Sequence, residues 1–495
     1  MTMNAVARIL DWPVEVTEEN AHVLWDSASL ARAAKGTASA DFTASGVEID
    51  SRDVQPGDLF VALKGETTDG HRFIDMAFAK GAAAVLVDRP VEGPHILVDD
   101  TMDALVRIGA AARARIRGPV IGVTGSVGKT GVKEMIFAAL DRASRGDAHR
   151  SVKSYNNHVG VPLSLARTPS RARFAIFEMG MNHAGEIAAL TGQVRPHVAV
   201  VTTIAPAHIE MLGSEEAIAD AKAEIFEGLE PGGIAVMPAD NPHFNRLREA
   251  ALACGATVVS FGKAKDADVR LLDTVAAIGG GSLVTVDMGD RRVCYTVAAP
   301  GEHHVINSLA VMAAVRAVKG DLGAAGVALA EMGGLAGRGA RIEIDVPGGE
   351  PDDAGRRRAL LIDESYNANP ASMRATLAQL GRTPAHRRIA VLGAMKELGS
   401  HGPGYHAALA GPVREAAVDF AVLVGDEMTA LAEELGKSGT SELGKPVPFA
   451  HCADVREAVE TLRAFGLERD DVILVKGSNS VGLASLVTTL GKQEG

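Results

Sequence analysis

Short apolar runs that end at polar or glycine-rich loops recur along the chain, and this pattern constrains the fold more than any other feature of the sequence. The runs lie at residues 119–125, 174–180, 198–204, 233–238, 256–262, 359–363, 388–395, 420–425 and 472–478. Helical segments separate them. Strands that are apolar on both faces and alternate with helices predict parallel sheets covered by helices on each side. The chain is therefore predicted to be an α/β protein.

The length of the chain predicts several domains, because 495 residues exceed what one ordinary hydrophobic core contains. We expect a small α/β domain at residues 1–98, a central domain with a P-loop-type parallel sheet at 99–338, and a Rossmann-like domain at 339–495. Between residues 269 and 297 the pattern changes, since two alternating segments flank residues 289–292. That change predicts an antiparallel hairpin within the central domain.

The composition excludes several classes of protein. Acidic residues outnumber basic ones by 62 to 50, which argues against non-specific nucleic-acid binding but leaves room for a local basic pocket. The three cysteines are far apart and form no CxxC pair, so we expect no disulfide framework or zinc site, and a reducing compartment fits. No stretch of about 18 uncharged apolar residues occurs, so no membrane span is predicted.

The segment GVTGSVGKT at residues 122–130 lies between a predicted strand and a predicted helix. Backbone N–H groups of such a turn, together with the helix N-terminus, can bind a phosphate chain. Lys129 is then placed to reach the β- and γ-phosphates, and the Thr130 hydroxyl to bind Mg²⁺. The other residues predicted to surround the phosphates are Thr124, Gly125, Ser126, Val127 and Gly128. A simple glycine-rich turn is the alternative, since Val123 replaces the first glycine of the strict motif.

Glu178 and His208 are candidates for a metal site near the same end of the sheet. Glu178 ends a predicted strand, and ligands of open α/β sheets bind at the carboxyl ends of strands, so it is placed to hold Mg²⁺ directly or through water. A polar strand cap is the alternative. His208 follows the next strand, and its two alternative roles are those of a metal ligand and of a loop anchor. Lys222 lies in a predicted helix at residues 214–229, where a lone lysine is normally a solvated surface charge.

Ordered motifs over residues 45–480 resemble the Mur ligase family. They lie at residues 154–165, 178–187, 207–214, 221–226, 301–314, 338–343 and 363–370, and include YNNHVGVPL and SYNANP. The resemblance implies a cytoplasmic ATP-dependent ligase that joins D-alanyl-D-alanine to UDP-N-acetylmuramoyl-tripeptide through an acyl phosphate, in peptidoglycan precursor synthesis. It implies that the first domain binds the UDP end, the central one ATP and the last one the dipeptide. We expect a monomer.

The same resemblance implies roles for individual residues. Lys129 and Thr130 serve the phosphates and a first Mg²⁺, with Glu178 on magnesium, and His208 belongs to a second magnesium site. Lys222 matches a lysine that is carbamylated and helps hold that second metal. Further implied assignments are Asn307 near adenine, Arg338 or Arg341 near the phosphates, and Asp363 or Glu364 near ribose. Those implied for the UDP-linked substrate are Ser51, Arg52, Lys64, His71, Asn156 and Asn157.

Two other functions remain alternatives. A ligase similar to folylpolyglutamate synthase would also convert a carboxylate to an acyl phosphate, whereas residues 1–98 and YNNHVGVPL favour the cell-wall enzyme. A P-loop switch protein that hydrolyses nucleotide to change partners would need neither residues 363–370 nor a third domain. Phosphate release that depends on both the UDP-tripeptide and D-alanyl-D-alanine distinguishes the three functions.

Overall fold

The computed structural model describes residues 23–65, 68–207, 209–277, 281–352, 355–437 and 446–492. Parallel strand pairs dominate its three larger sheets, which confirms the predicted α/β class. The described residues form two compact units, one of residues up to 116 with 162–170, and one of 117–161 with the residues from 171 onward. The division into three domains stays a prediction. Among the described residues, no helix has both the length and the apolar composition that a membrane span requires.

The first unit is built on a small, mainly parallel sheet. Its elements are β1 (Trp25–Asp26), α1 (Ser27–Ala34), β2 (Thr37–Ala38), β3 (Thr43–Ala44), β4 (Gly46–Glu48), β5 (Asp58–Val61), α2 (Ile74–Ala79), β6 (Ala84–Val87), β7 (His95–Leu97) and α3 (Thr101–Arg115). The strand order is β2-β7-β6-β5-β4, with only β2 antiparallel to its neighbour. Asp100 caps α3 by accepting a hydrogen bond from the N–H of Asp103.

The described residues of 117–331 contain the strands of the largest sheet and eight α-helices. They are β8 (Val120–Thr124), α4 (Lys129–Ser144), β9 (Ala148–Arg150), α5 (Gly160–Ala166), β10 (Phe174–Glu178), α6 (Glu186–Val194), β11 (Val198–Val201), α7 (Ile209–Leu212), α8 (Glu215–Ala223), β12 (Ile234–Pro238), α9 (Phe244–Ala253), β13 (Thr257–Gly262), β14 (Val269–Ala276), β15 (Ser282–Asp287), β16 (Arg292–Val297), α10 (Glu302–Ala317) and α11 (Leu322–Glu331).

The topology of this nine-stranded sheet places the ends of three strands side by side. Its order is β16-β15-β14-β13-β12-β11-β8-β10-β9, and every pair from β14 to β9 is parallel. All of β8 is buried, as the continuous apolar run predicted, and its Ile121 and Val123 belong to the large hydrophobic core of this unit. Because β8 lies between β10 and β11, the residues that follow these three strands meet at one edge. The predicted hairpin is confirmed as antiparallel β15 and β16.

The remaining elements form a second large layer. They are β17 (Ala340–Asp345), β18 (Arg358–Glu364), α12 (Pro370–Arg382), β19 (Arg388–Gly393), α13 (Gly402–Ala407), α14 (Ala410–Glu415), β20 (Phe420–Val424), α15 (Thr429–Gly436), β21 (Phe449–Cys452), α16 (Val455–Phe465), β22 (Val472–Lys476) and α17 (Ala484–Gly491). The order is β17-β18-β22-β19-β20-β21, and only β17 runs antiparallel to its neighbour. Short 3₁₀ helices lie at Gly70–Phe73, Glu224–Gly228, Gly399–His401, Asp426–Met428 and Asn479–Val481.

Candidate active site

The turn between β8 and α4 depends on two glycines. Gly125 has φ 145° and Gly128 has φ 86°, which are values that side chains disfavour. A Cβ atom at Gly125 would lie 2.0 Å from Oγ1 of Thr202, and one at Gly128 would lie 3.0 Å from Nδ2 of Asn307. No side chain caps α4, so the first N–H groups of this helix remain directed at the turn. The glycines of this loop therefore stand at 125 and 128, and Val123 belongs to the strand.

Replacement of Gly125 by alanine should weaken nucleotide binding. The unfavourable backbone conformation alone costs on the order of 1–3 kcal/mol, which corresponds to binding weaker by a factor of about 5 to about 150 if nucleotide binding has to restore that conformation. Calorimetric titration with ADP measures the change. Gly192→Ala is the matched control, because a Cβ atom there meets nothing within 4 Å inside α6. Equal ADP affinity in both variants would contradict the assigned role of this turn.

Contacts from the segment after β11 hold the turn in place. Ser126 donates its hydroxyl to the carbonyl of Ala205 (2.8 Å), and Thr202 donates to the carbonyl of Val127 (2.5 Å). The buried Thr124 hydroxyl has no hydrogen-bond partner among the described residues. These contacts make Ser126 and Val127 supports of the turn. Direct contact of Thr124, Ser126 or Val127 with a nucleotide stays a prediction.

Lys129, the first residue of α4, bends back over the turn. Its Nζ donates to the carbonyl of Gly125 at 2.7 Å. Burial lowers the pKa of Lys129, and repulsion from Arg338 acts in the same direction, whereas Glu178 and Glu397 oppose the shift. A bound phosphate would add negative charge beside this ammonium and stabilise its charged form.

Thr130 and Glu178 meet as predicted. The Thr130 hydroxyl donates to Oε2 of Glu178 at 2.8 Å, and Nδ2 of Asn156 donates to Oε1 of the same carboxylate at 2.8 Å. Glu178 is only 1% exposed. A hydroxyl and a carboxylate side by side are oxygen donors of the kind that Mg²⁺ prefers. The residues of this site therefore fit a magnesium ion beside the phosphate-binding turn.

The two asparagines predicted to bind substrate have different surroundings. Asn156 orients Glu178, as above. The exposed Asn157 instead accepts hydrogen bonds from the N–H groups of Val159 (3.2 Å) and Gly160 (2.9 Å) at the start of α5. Its carbonyl oxygen thus stabilises a helix start. Substrate contacts of either residue stay predictions.

Lys222 is buried rather than solvated, so the expectation from sequence alone for a lone helical lysine is wrong. It lies in α8, which Ser214 caps, and is 1% exposed. Burial holds the pKa of Lys222 well below its usual value; the Lys129 charge acts in the same direction and Glu224 opposes it. Deep burial therefore favours the uncharged form of this amine. His208 lies outside the described residues, and within them no group of at least three His, Cys, Asp or Glu could hold a metal ion.

The two candidate arginines have different surroundings. Arg338 donates from Nη2 to Oγ of Ser154 at 3.0 Å. Its guanidinium carbon Cζ lies 4.1 Å from the centroid of the Tyr366 ring. It therefore reaches the segment beside Thr130, whereas Arg341 is exposed on β17. Contact of Arg338 with nucleotide phosphates stays a prediction.

The two acidic candidates near ribose have different partners. Asp363 accepts from the N–H of Gly337 at 2.7 Å and from the hydroxyl of Ser365 at 2.6 Å. It thereby fixes the loop that presents Arg338. Glu364 pairs with Nζ of Lys476 at 3.2 Å. Neither contact excludes a ribose hydroxyl, so the role of Asp363 at the nucleotide stays a prediction.

Sequence reasoning missed Lys133, Ser154 and Thr202. Lys133 is completely buried, with Nζ 3.8 Å from Oε2 of Glu178. Its spacing of one helical turn from Lys129 was the available signal, because residues i and i+4 share a helix face. Ser154 lies between Thr130 (3.3 Å) and Arg338 (3.0 Å), a position that only the folded loop reveals.

In the first unit, Lys64 and His71 are brought together through Asp88. The His71 ring contacts Oδ1 of Asp88 through Nε2 (3.1 Å) and Oδ1 of Asp69 through Nδ1 (2.6 Å), and Lys64 pairs with Asp88 at 2.5 Å. Arg89 joins this cluster through Asp69 (2.7 Å).

The other two candidates of the first unit have separate partners. The buried Ser51 contacts the sulfur of Met76 at 3.4 Å, and the exposed Arg52 pairs with Asp50 at 2.6 Å. Binding of the UDP-linked substrate by Ser51, Arg52, Lys64 and His71 stays a prediction.

Comparison with known proteins finds similarity along nearly the whole chain. Three family models match: the Mur ligase family catalytic domain at residues 43–116, the Mur ligase middle domain at 123–315, and the Mur ligase glutamate ligase domain at 354–479. The UDP-N-acetylmuramoyl-tripeptide–D-alanyl-D-alanine ligase of Synechocystis sp. is 36% identical over 469 residues, which cover 91% of this chain and 93% of that protein.

Solved structures are similar over the same extent. The crystal structure of MurF from Acinetobacter baumannii has a TM-score of 0.77 and 28% identity, and covers 95% of this chain and 99% of its own. MurF ligase from Thermotoga maritima in complex with ADP has a TM-score of 0.68 and 25% identity, and covers 90% of this chain and 97% of its own.

Proposed function

The chain belongs to the Mur ligase family, and on that premise we propose that it joins D-alanyl-D-alanine to UDP-N-acetylmuramoyl-tripeptide with the consumption of ATP. It is an ATP-dependent acid–amino-acid ligase of peptidoglycan precursor synthesis. The observation that carries this function is the 36% identity to a ligase of that activity over 93% of its length. The glycine turn with Lys129, Thr130 and Glu178 supplies the matching chemistry.

The reaction has to activate a carboxylate, which is a poor electrophile. An oxygen of the tripeptide's terminal carboxylate attacks the γ-phosphorus, the bond to the β,γ-bridging oxygen breaks, and ADP leaves. The amine of D-alanyl-D-alanine then attacks the acyl carbon, loses a proton to water, and phosphate departs with the electrons of the C–O bond. No protein nucleophile is required, so catalysis consists of positioning and charge stabilisation.

The proposed roles follow from where the side chains lie. Lys129 neutralises charge on the transferred phosphoryl group, since its Nζ already bends over the turn. Asn307, which lies beside Gly128, would contact the adenine. Arg338, which donates to Ser154 next to Thr130, would contact the nucleotide phosphates. Thr130 and Glu178 would hold Mg²⁺, which when bound offsets the negative charge of the phosphates.

Lys222 is proposed to be carbamylated and to assist a second metal with His208. Its burial supports this, because burial lowers the pKa of Lys222 and the uncharged amine is the form that reacts with CO₂. The product is an anionic carbamate, whose oxygens suit Mg²⁺.

We place the enzyme in the cytoplasm as a monomer. The free cysteines Cys254, Cys294 and Cys452 fit a reducing compartment that also supplies ATP.

A mass-spectrometric assay of products tests the function. With ATP, magnesium and both substrates, the expected product has the mass of UDP-tripeptide plus D-alanyl-D-alanine less one water. Phosphate release should require both substrates. Release with neither substrate would indicate a nucleotide switch, and glutamate addition to a folate would indicate the folylpolyglutamate synthase alternative.

A further inference from the structure

Lys133 in α4 is a buried cation that the proposed reaction does not use. Its side chain has no exposure, and its Nζ donates to the carbonyls of Ser151 (2.8 Å) and Lys153 (2.7 Å) and lies 3.0 Å from Oε1 of Glu134. An ammonium has three donors, and these contacts use all of them. A buried charge is strongly unfavourable unless it is paired and hydrogen-bonded. The two carbonyls are therefore fixed relative to α4.

Those carbonyls belong to the segment of residues 151–156, which we call the anchored segment. It carries Ser154, which lies between Thr130 and Arg338, and Asn156, which donates to Glu178 at 2.8 Å. The hydroxyl of Ser151 also accepts from the N–H of Glu178 at 3.2 Å. Ser154 and Asn156, which contact the predicted magnesium ligands Thr130 and Glu178, thus belong to the same backbone segment that Lys133 binds.

The backbone of the anchored segment requires such a support. Lys153 has φ 51°, a left-handed conformation that residues other than glycine adopt only when their surroundings enforce it. The carbonyl that accepts from Lys133 belongs to this same residue. Without the ammonium, the segment would lose the contact that holds its least favourable residue.

We propose that Lys133 is a positioning residue that fixes the anchored segment. Before the nucleotide binds, Ser154 is thereby held in contact with Thr130 and Arg338, and Asn156 in contact with Glu178. The inference rests on the proposed function, because it concerns the nucleotide and magnesium site of that ligase. Lys133 acts through Ser154 and Asn156, with its own ammonium 3.8 Å from Glu178.

The test compares Lys133→Met, which keeps the length of the side chain and removes its donors, with the full-length wild-type protein. Hydrogen–deuterium exchange without ligands should speed up about tenfold or more at residues 151–156 and stay unchanged in β11. The Kd for ADP in the presence of magnesium should rise about tenfold by calorimetry. The KM for ATP should rise by a larger factor than kcat falls. Lys437→Met, at an exposed lysine that ends α15, is the control.

Two further variants separate positioning from general stability. Ser154→Ala should weaken binding of ADP with magnesium severalfold, and should weaken it less in the Lys133→Met background, because the two residues act in one chain of contacts. Unchanged exchange and affinity in folded Lys133→Met would overturn the proposal. If that variant does not fold, wild-type affinity in both Ser154→Ala and Asn156→Ala would overturn it. The exchange measurement needs no ligase activity, so failure of the proposed function would be seen separately in the product assay.

Discussion

Replacement of Lys129 by alanine should lower turnover by a factor on the order of 10²–10⁴, the loss typical of a charged or hydrogen-bonding group that stabilises a transition state. The Nζ of Lys129 lies 2.7 Å from the carbonyl of Gly125, at the N-terminus of α4, where a γ-phosphate would approach. Negative charge develops on that phosphate as the tripeptide carboxylate attacks.

Single-turnover and steady-state rates of product formation measure this effect. Alanine favours helices, so α4 should still begin at this position and the variant should fold. Lys437→Ala, at an exposed lysine, should keep wild-type rates. Near-wild-type turnover of a folded Lys129→Ala protein would refute the assignment of the turn as the ATP site.

The sheets could be predicted because their physics is local and repetitive. A strand buried on both faces must be apolar throughout, and the runs at 120–124 and 174–178 are nearly so. The meeting of Thr130 and Glu178 followed from the same rule, since residues after parallel strands share one edge. That prediction is correct because β8 and β10 are neighbouring parallel strands of the sheet.

The burial of single cations could not be predicted in this way. Lys222 lies in a helix rich in alanine, and alanine indicates only weakly which face of a helix is covered. Lys133 is stabilised by carbonyl groups of a loop. The conformation of a loop leaves no periodic pattern in the sequence from which these contacts could be predicted. The contact between Arg338 and Ser154, which distinguishes Arg338 from Arg341, likewise joins residues that are far apart in the sequence.

Replacement of Lys222 should also reduce activity strongly. Lys222→Ala removes the proposed carbamate, and loss of groups that support a bound metal typically lowers activity or metal affinity about 10- to 100-fold. The variant should fold, because alanine fits an α8 that is already rich in alanine.

Carbon-13 bicarbonate labelling tests the modification directly. The neutral amine attacks CO₂, an N–C bond forms and one proton leaves, so a labelled carbamate signal should appear in the wild-type protein and be absent from Lys222→Ala. The signal should weaken as pH falls, because protonation removes the nucleophilic form of the amine. Lys476 is an internal control: it is also buried, but its Nζ already donates to Glu364 (3.2 Å) and to the carbonyl of Asn367 (3.0 Å), so it should stay unmodified. Full activity of Lys222→Ala would contradict the proposal, as would a carbamate signal that survives the substitution.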